Sequence, residues 1–223
     1  MSRLFVVGTP IGNLEDVSAR ALRVLSEVGV IAAEDTRVTA RLLARHALRK
    51  PLISYRAPVE RRGLPRVLAA LAEGDVALVS DAGTPTLSDP GAALVEAAWA
   101  AGHVVVPIPG PSAIAAALSV AGVSGPGFTF LGYLPRKPGE MRRLMQSLET
   151  DPRPAVAFES PFRIRKSLDL IAEVLPDRPV TLTRELTKVH EQVLRGRASE
   201  VSAALGEKVR GEITLVISGH SKA

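Results

Sequence analysis

The chain has 223 residues, a length that suits one large domain or two small ones. It contains no Cys, which excludes disulfides, thiolate metal sites and a Cys nucleophile, and its four His are far apart without metal-ligand spacing. No run reaches the ~18 apolar residues of a membrane span, and the N-terminus passes directly into a strand-like run, so we expect a cytoplasmic protein without a signal peptide. The net charge of +5 and the pI of about 10 favour a polyanionic partner such as nucleic acid, although a general preference for Arg and Ala would give the same charge.

The first half of the chain alternates apolar strand-like runs with helical ones. Short apolar runs predict five strands, at 3–8, 30–33, 52–54, 75–80 and 103–108. The segments between them carry apolar residues at helical spacing or are rich in Ala. This alternation predicts a parallel sheet with helices packed on it.

Polar residues at the helix entries predict N-caps. Asn13 is the predicted cap of a helix over 14–28, and Asp35 or Thr36 is the predicted cap of the helix after the second strand, with Asp35 favoured. Ser88 or Asp89 is the predicted cap of the helix after the fourth strand, with Pro90 at its first position.

The second half reads differently. The segment GVSGPG, residues 122–127, has three Gly and one Pro and is the predicted junction between domains at 1–121 and 122–223. Several strand-like runs then follow each other with little helix between them, which predicts a mixed sheet. Helices are predicted at 137–149, 161–174 and 198–205.

Four unusual loops follow predicted strands of the first half: GTPIGN, EDT, SDAGTPTLSDPG and PGPSA. In a parallel sheet these loops share the edge at which ligands bind. In the third loop, Ser80 and Asp81 end a strand, where a carboxylate can accept a hydrogen bond from a ribose or an amine. Ala82 and Gly83 keep the wall thin, and two Pro residues fix the loop before a ligand binds.

Two of these loops have open interpretations. Ser112 either caps the next helix or, with the N–H of Ala113, faces a ligand carboxylate or ring. Glu34 either contacts a substrate or forms a structural ion pair with Arg37.

Two segments of the second half, 157–168 and 183–193, combine acids and aromatics with cations. The cations are Arg163, Arg165, Lys166, Arg184 and Lys188. Basic side chains beside aromatics suit a phosphate backbone with exposed bases, whereas a solvated charged face is the alternative for either segment alone. Because both segments follow predicted strands of one sheet, a site is favoured.

The chain resembles the tetrapyrrole-methylase family in stretches that follow in order over nearly its whole length: VVGTPIGNLEDVSARAL, AAEDTRVTARLL, SDAGTPTLSDPG, PGPSAIAAAL, FESPFRI, TRELTKVHE and GEITLVI. Within the family it is similar to the branch that methylates small-subunit ribosomal RNA. Corrin-pathway relatives open with a G-x-G-x-G-D-type loop where this chain has GTPIGN, and the EDTR and RELTK stretches also indicate the RNA branch.

The resemblance implies a two-domain α/β fold, with an N-terminal parallel sheet flanked by helices and a C-terminal mixed sheet with helices. It implies a homodimer that binds S-adenosylmethionine in a cleft between the domains and needs no metal. The implied activity is 2′-O-methylation of a cytidine in the decoding region of 16S ribosomal RNA, within the assembled 30S subunit. By motif match, the cofactor would be lined by Pro10, Ser80, Asp81, Ala82, Gly83, Thr84, Ser112, Ala113 and Phe158.

A ribose hydroxyl is a poor nucleophile at neutral pH, so a base or a nearby cation should assist the transfer. The candidates are Glu159, Glu185, Lys188 and Glu34, of which Glu185 and Lys188 are favoured. RNA phosphates are expected to contact Arg163, Arg165, Lys166, Arg184 and Lys188.

Two alternatives stay open: a C-methyltransferase of a precorrin or uroporphyrinogen on the same fold, and a non-catalytic nucleotide-binding module associated with the ribosome. The chain also departs from the branch in two places. It reads SYRAPVE at 54–60, where the branch usually carries His and Asn, which we expect to alter substrate contacts. It ends at Ala223, where longer members continue into a helical segment, so we expect any RNA contact made by that segment to be missing.

Overall fold

The computed structural model describes residues 1–57 and 60–220, without the side chains of 60–62. The segment 54–60 therefore lies partly outside the described residues. The chain divides into two compact units, Met1–Ser112 and Ala113–Ala223. Each unit contains one sheet.

The first unit is built on a parallel sheet of five strands in the order β3-β2-β4-β1-β5. The strands are β1 Arg3–Val7, β2 Val30–Ala33, β3 Leu52–Ser54, β4 Val76–Val79 and β5 Val104–Ile108, which confirms the five predicted positions. Its helices are α1 Ala19–Glu27, α2 Thr36–Arg45, α3 Glu60–Glu73 and α4 Ala92–Ala100.

Both faces of this sheet are buried. Phe5 and Val7 belong to the apolar cluster on one face, and Leu4 belongs to the cluster on the other. Successive side chains of a strand point to opposite faces, so a strand buried on both faces must be apolar at every position. This is why the strands of the first half could be located as continuous apolar runs.

The helix entries differ in part from the prediction. Asp35 caps α2 as predicted, and its carboxylate accepts a hydrogen bond from the Arg37 N–H at 2.8 Å. The single helix predicted over 14–28 is wrong, because Asn13 caps only a 3₁₀ turn and Val17 is extended. The helix α1 starts afresh with Ser18 as its N-cap.

The predicted cap of α4 is also wrong. The N-cap is Gly91, with a φ of 132°, and no side chain caps this helix. Ser88 has a left-handed backbone, with a φ of 68°, whereas a side-chain N-cap needs an extended one. The geometry of the loop therefore overrides the local capping preference.

The second unit contains a mixed sheet, as predicted, and its strands lie in the order β6-β7-β10-β8-β9. Only the β6–β7 pair is parallel among the pairings described. The strands are β6 Thr129–Tyr133, β7 Ala155–Glu159, β8 Pro179–Arg184, β9 Gln192–Arg197 and β10 Ile213–Ile217. The helices are α5 Ala113–Ala121, α6 Pro138–Ser147, α7 Ile164–Val174 and α8 Ala198–Ala204.

The helix α5 groups with the second unit, although the sequence places the domain junction after it, at 122–127. Its residues Ile114, Ala117 and Ala121 pack against Val156 and Val216 of the mixed sheet. Burial of this apolar face attaches the helix to the second sheet, regardless of where Gly and Pro are concentrated.

Among the helices that the structure describes, none combines the length and the apolarity needed to cross a bilayer.

Candidate functional site

The loops after β1 and β4 are joined by backbone hydrogen bonds at the carboxyl edge of the first sheet. The Thr9 N–H donates to the Gly83 carbonyl at 2.9 Å, and the Gly83 N–H donates back at 3.1 Å. The Thr9 hydroxyl donates to the Ser80 carbonyl at 3.1 Å. Thr9 and Ser80 are each only 3% exposed, so this connection is part of the core and the loops cannot move independently.

The loops after β1 and β5 touch through two glycines. A Cβ on Gly8 would lie 2.8 Å from the Cα of Gly110, and a Cβ on Gly110 would lie 2.5 Å from the Gly8 carbonyl oxygen. Both positions therefore require Gly. We call the loops after β1, β2, β4 and β5, residues 8–13, 34–35, 80–91 and 109–112, the first rim.

Two carboxylates of the first rim are joined through the backbone. The Asp81 N–H donates to Glu34 Oε2 at 3.2 Å, and Asp81 Oδ1 accepts from the Asp35 N–H at 2.9 Å. Burial raises the pKa of Glu34, although the hydrogen bond from Asp81 opposes the rise. Arg37 pairs with Asp35 at 2.6 Å rather than with Glu34, and its hydrogen bonds hold the pKa of Asp35 well below the usual range.

The segment 80–91 has an unusual backbone. Its positive-φ residues are Gly83 at 81°, Thr86 at 75°, Ser88 at 68° and Gly91 at 132°. A left-handed Thr is a genuine outlier, because its branched Cβ crowds the backbone, and such conformations cost about 1–3 kcal/mol each. A strained loop persists only where its surroundings fix it, so the first rim is preformed.

The structure gathers most of the predicted cofactor residues on the first rim. Ser80, Asp81, Ala82, Gly83 and Thr84 form the start of the 80–91 loop. The aspartate is exposed and the glycine is buried. Their roles as ligand contacts stay predictions.

Of the other predicted cofactor residues, two more lie on the first rim and two lie in the second unit. Pro10 is buried beside Thr9, and Ser112 ends the loop after β5. Ala113 is the first residue of α5, in the second unit. Phe158 is half-buried in β7, where its ring meets the Phe130 ring edge-on with centroids 5.1 Å apart.

The second sheet brings three loops to one edge. Ile213, the first residue of β10, pairs with Glu159 at the end of β7 and with Arg184 at the end of β8. The loops 160–163, 185–191 and 205–212 therefore leave the sheet together, and we call them the second rim.

A charged network crosses the second rim. The ammonium of Lys188 donates to Glu185 Oε1 at 2.9 Å and to Glu212 Oε2 at 2.8 Å. The Glu212 N–H donates to Glu185 Oε1 at 3.0 Å, and this bond is the main reason that the pKa of Glu185 is lowered. Burial alone would lower the pKa of Lys188, but its hydrogen bonds to Glu212 and Glu185 outweigh burial and raise it.

These pKa directions bear on the predicted catalytic roles. Lys188 is a cation at neutral pH, and Glu185 is a carboxylate of weakened basicity. The arrangement is therefore better suited to orienting a hydroxyl with a fixed positive charge than to accepting a proton. Sequence reasoning missed Glu212, whose signal was its place at the start of the last strand-like run, GEITLVI.

Glu159, the third catalytic candidate, is only 2% exposed. Its carboxylate pairs with Arg163 and accepts hydrogen bonds from the Ser160 N–H and the Ser167 hydroxyl. These contacts satisfy a buried charge within the protein. A catalytic role for Glu159 stays a prediction, and its burial gives that role no support.

Three of the four cations predicted to contact only RNA are engaged within the protein. Arg163 pairs with Glu159, and Arg165 donates to three backbone carbonyls at the end of α8. Arg184 donates to a side-chain amide and a backbone carbonyl nearby. Lys166 alone of the four is exposed. The RNA contacts of all four stay predictions.

Within the described residues, no group of three or more His, Asp or Glu side chains is arranged to hold a metal ion.

Comparison with known proteins identifies the family of this chain. The profile described as Tetrapyrrole (Corrin/Porphyrin) Methylases matches residues 3–202. A Thermotoga maritima protein is 47% identical over 221 residues, which are 98% of this chain and 99% of that protein. Proteins of Neisseria meningitidis and Bacillus subtilis are 47% and 41% identical, over 96% and 98% of this chain and 75% and 76% of their own. All three bear the name Ribosomal RNA small subunit methyltransferase I.

Solved structures share the fold at low identity. Diphthine synthase gives a TM-score of 0.70 at 16% identity, covering 97% of this chain and 90% of its own. A Thermus thermophilus uroporphyrin-III C-methyl transferase, complexed with S-adenyl homocysteine, gives 0.66 at 19% identity, covering 96% and 97%. The predicted fold class and the predicted family are confirmed. The chain belongs to the tetrapyrrole (corrin/porphyrin) methylase family, within the group of ribosomal RNA small subunit methyltransferase I proteins.

Proposed function

We propose that the chain transfers a methyl group from S-adenosylmethionine to the 2′-hydroxyl of a cytidine in the decoding region of small-subunit ribosomal RNA. The names of relatives at 41–47% identity support the substrate class. The observation that carries the proposal is the preformed first rim, in which the exposed carboxylate of Asp81 is held between loops that cannot separate.

The residues of the first rim fit the chemistry of the cofactor. S-adenosylmethionine carries a nucleoside, an ammonium and a sulfonium, and when bound it supplies an activated methyl group. The acidic pair of Glu34 and Asp81 complements a cation, and the orientation of Asp81 by the Asp35 N–H leaves its second oxygen for a ribose hydroxyl or an ammonium. We assign cofactor contacts to Pro10, Ser80, Asp81, Ala82, Gly83, Thr84, Ser112, Ala113 and Phe158.

The contribution of the second rim is positioning. Lys188, held by two carboxylates, is a cation of fixed direction that can stabilise the negative charge developing on a ribose oxygen as the hydroxyl proton passes to water. Glu185 and Glu212 hold that cation in place. Alignment of donor and acceptor accounts for much of the rate in such a displacement, so a strong base is not required.

We further propose that the working form is a homodimer acting on the assembled 30S subunit in the cytoplasm. The basic balance of the chain, +5 overall, favours a large anionic substrate of this kind.

A paired methyl-transfer assay tests the proposal. Radiolabelled S-adenosylmethionine is supplied with 30S subunits from cells lacking the modification, with naked 16S RNA, and with uroporphyrinogen III. We expect label in the subunit RNA, recovered as 2′-O-methylcytidine after digestion to nucleosides. Label in the tetrapyrrole instead, or label on a base rather than a ribose, would contradict the proposal.

A further inference from the structure

Phe162 stands on the second rim with 92% of its surface exposed. It lies in the 160–163 loop, between the end of β7 and the start of α7. Aromatic side chains bury large areas when they contact a partner, so a ring left this open is available for such a contact.

The ring borders an open concavity of about 730 Å³. Its walls are the turn at Pro161 and Phe162, the start of α7 at Arg165, and the loop 207–211. The volume lies within the range of about 300–1,000 Å³ that is typical of small-molecule sites. We call this feature the Phe162 concavity.

The Phe162 concavity is basic. Three cations line it, Arg165, Lys208 and Arg210, against one carboxylate, Glu207. Lys208 and Arg210 are exposed, and neither forms an ion pair with any residue in the described part of the chain. The surface therefore complements an anion.

The wall that carries these cations is fixed by hydrogen bonds. Arg165 donates to the carbonyls of Leu205 and Gly206 at 3.0 and 2.7 Å, at the start of the 205–212 loop. Arg184 donates to the carbonyl of Arg210 at 3.1 Å. Arg165 and Arg184, which the sequence predicted to contact RNA, therefore fix the loop that carries Lys208 and Arg210.

We propose that the Phe162 concavity binds an unpaired nucleotide of the RNA substrate, with its base stacked on Phe162 and its phosphates on Lys208 and Arg210. The inference rests on the proposed function, because it assumes an RNA substrate. A base offers a flat face to an aromatic ring whatever its sequence, and such stacking is available only to unpaired bases. An acidic protein segment would pair with the cations but would offer no flat base to stack on the exposed ring.

Binding of a fluorescent, single-stranded 12-nucleotide RNA of non-self-complementary sequence tests the stacking. Phe162→Ala is expected to weaken binding about 5- to 150-fold, and Phe162→Trp to retain it. Phe128→Ala is the matched control, since Phe128 is 50% exposed and precedes β6, at the opposite edge of the same sheet. Equal affinities for Phe162→Ala and Phe128→Ala would overturn the proposal.

The charges are tested by salt dependence. Lys208→Gln and Arg210→Gln should each reduce the slope of log K against log salt by about 0.7, the value for one phosphate contact on a single strand. Arg143→Gln, which removes one exposed cation from α6, should leave the slope unchanged. Slopes that fall equally in all three variants would refute a specific phosphate contact.

A spectroscopic readout separates stacking from a merely structural role. The chain has one Trp, at position 99, so the double variant Trp99→Phe with Phe162→Trp reports on the concavity alone. Single-stranded RNA is expected to quench its emission. Unchanged emission at saturating RNA, equal quenching by duplex RNA, or displacement of the RNA by polyglutamate would each overturn the assignment.

The failure of this inference is distinguishable from the failure of the proposed function. Phe162→Ala should bind S-adenosylhomocysteine like the wild-type chain in calorimetry, because Phe162 is not among the residues to which we assign cofactor contacts. Stacking without methyl transfer by the wild-type chain would contradict the proposed function and leave the concavity assigned. Conversely, a Phe162→Ala variant that keeps full methyl transfer and unchanged RNA affinity would overturn the assignment of the concavity and leave the proposed function intact.

Discussion

Replacing Gly8 with Ala is expected to open the first rim. The new Cβ would lie 2.8 Å from both the Cα and the N of Gly110, whereas ordinary contacts begin at 3.4 Å. Both neighbours are backbone, so no side chain can turn away to relieve the overlap. The loops after β1 and β5 must separate by several tenths of an ångström, against the hydrogen bond from the Gly8 N–H to the Ile108 carbonyl at 3.0 Å.

The free energy that this overlap costs can be judged from other overpacked cores. Overpacking of a well-fitted core costs about 1–3 kcal/mol. For a chain of this size, each kcal/mol lowers the thermal midpoint by roughly 2–4 °C, so the midpoint should fall by about 2–12 °C. Small displacements at a site of fixed shape also cost binding, and we expect S-adenosylhomocysteine to bind at least about tenfold more weakly.

The assay compares Gly8→Ala with Gly74→Ala by thermal unfolding and by calorimetric titration of S-adenosylhomocysteine. A Cβ at Gly74 has nothing within 4 Å, so that variant should match the wild-type chain in both measurements. If Gly8→Ala kept both the midpoint and the affinity of Gly74→Ala, the reasoning about the close approach of the loops would be refuted.

Further changes test the acidic groups. Asp81→Asn can still accept the hydrogen bond from the Asp35 N–H but loses its charge, so calorimetry should show S-adenosylmethionine binding roughly tenfold more weakly. The control Glu96→Gln, at an exposed position, should leave the affinity unchanged. Equal affinities of the two variants would count against a cofactor contact by Asp81. The lowered pKa of Glu185 contributes stability that is present above its ordinary value of 4.5 and is lost as the pH falls. Below about pH 4.5, the urea-unfolding free energy of Glu185→Gln should therefore depend less on pH than that of the wild-type chain. Identical pH dependences of the two chains would contradict the network. Glu159→Gln leaves a charge unpaired and should lose about 3 kcal/mol of unfolding free energy, part of which the double variant with Arg163→Met should recover; a stable Glu159→Gln that loses only methyl transfer would instead support a catalytic carboxylate.

The first sheet was predictable because its strands are buried on both faces. Continuous apolar runs located β1 to β5, since apolar clusters cover both faces of the sheet. Helix entries were less predictable. Asp35 caps its helix as expected, whereas Ser88 does not, because its backbone is left-handed and the helix begins after Gly91.

The second rim could not be assembled from sequence. The network of Glu185, Lys188 and Glu212 exists because β10 lies between β7 and β8, and that strand order depends on long-range pairing with no local signal. Nor does sequence distinguish an Arg that binds phosphate from one that binds backbone carbonyls, as Arg165 does.

The most direct test of the preformed first rim is calorimetric titration of the wild-type chain with S-adenosylhomocysteine in the absence of RNA. A rim fixed by backbone contacts should bind one ligand per chain without any substrate to shape it. Heat of binding that appears only after RNA is added, or none at all, would contradict the account.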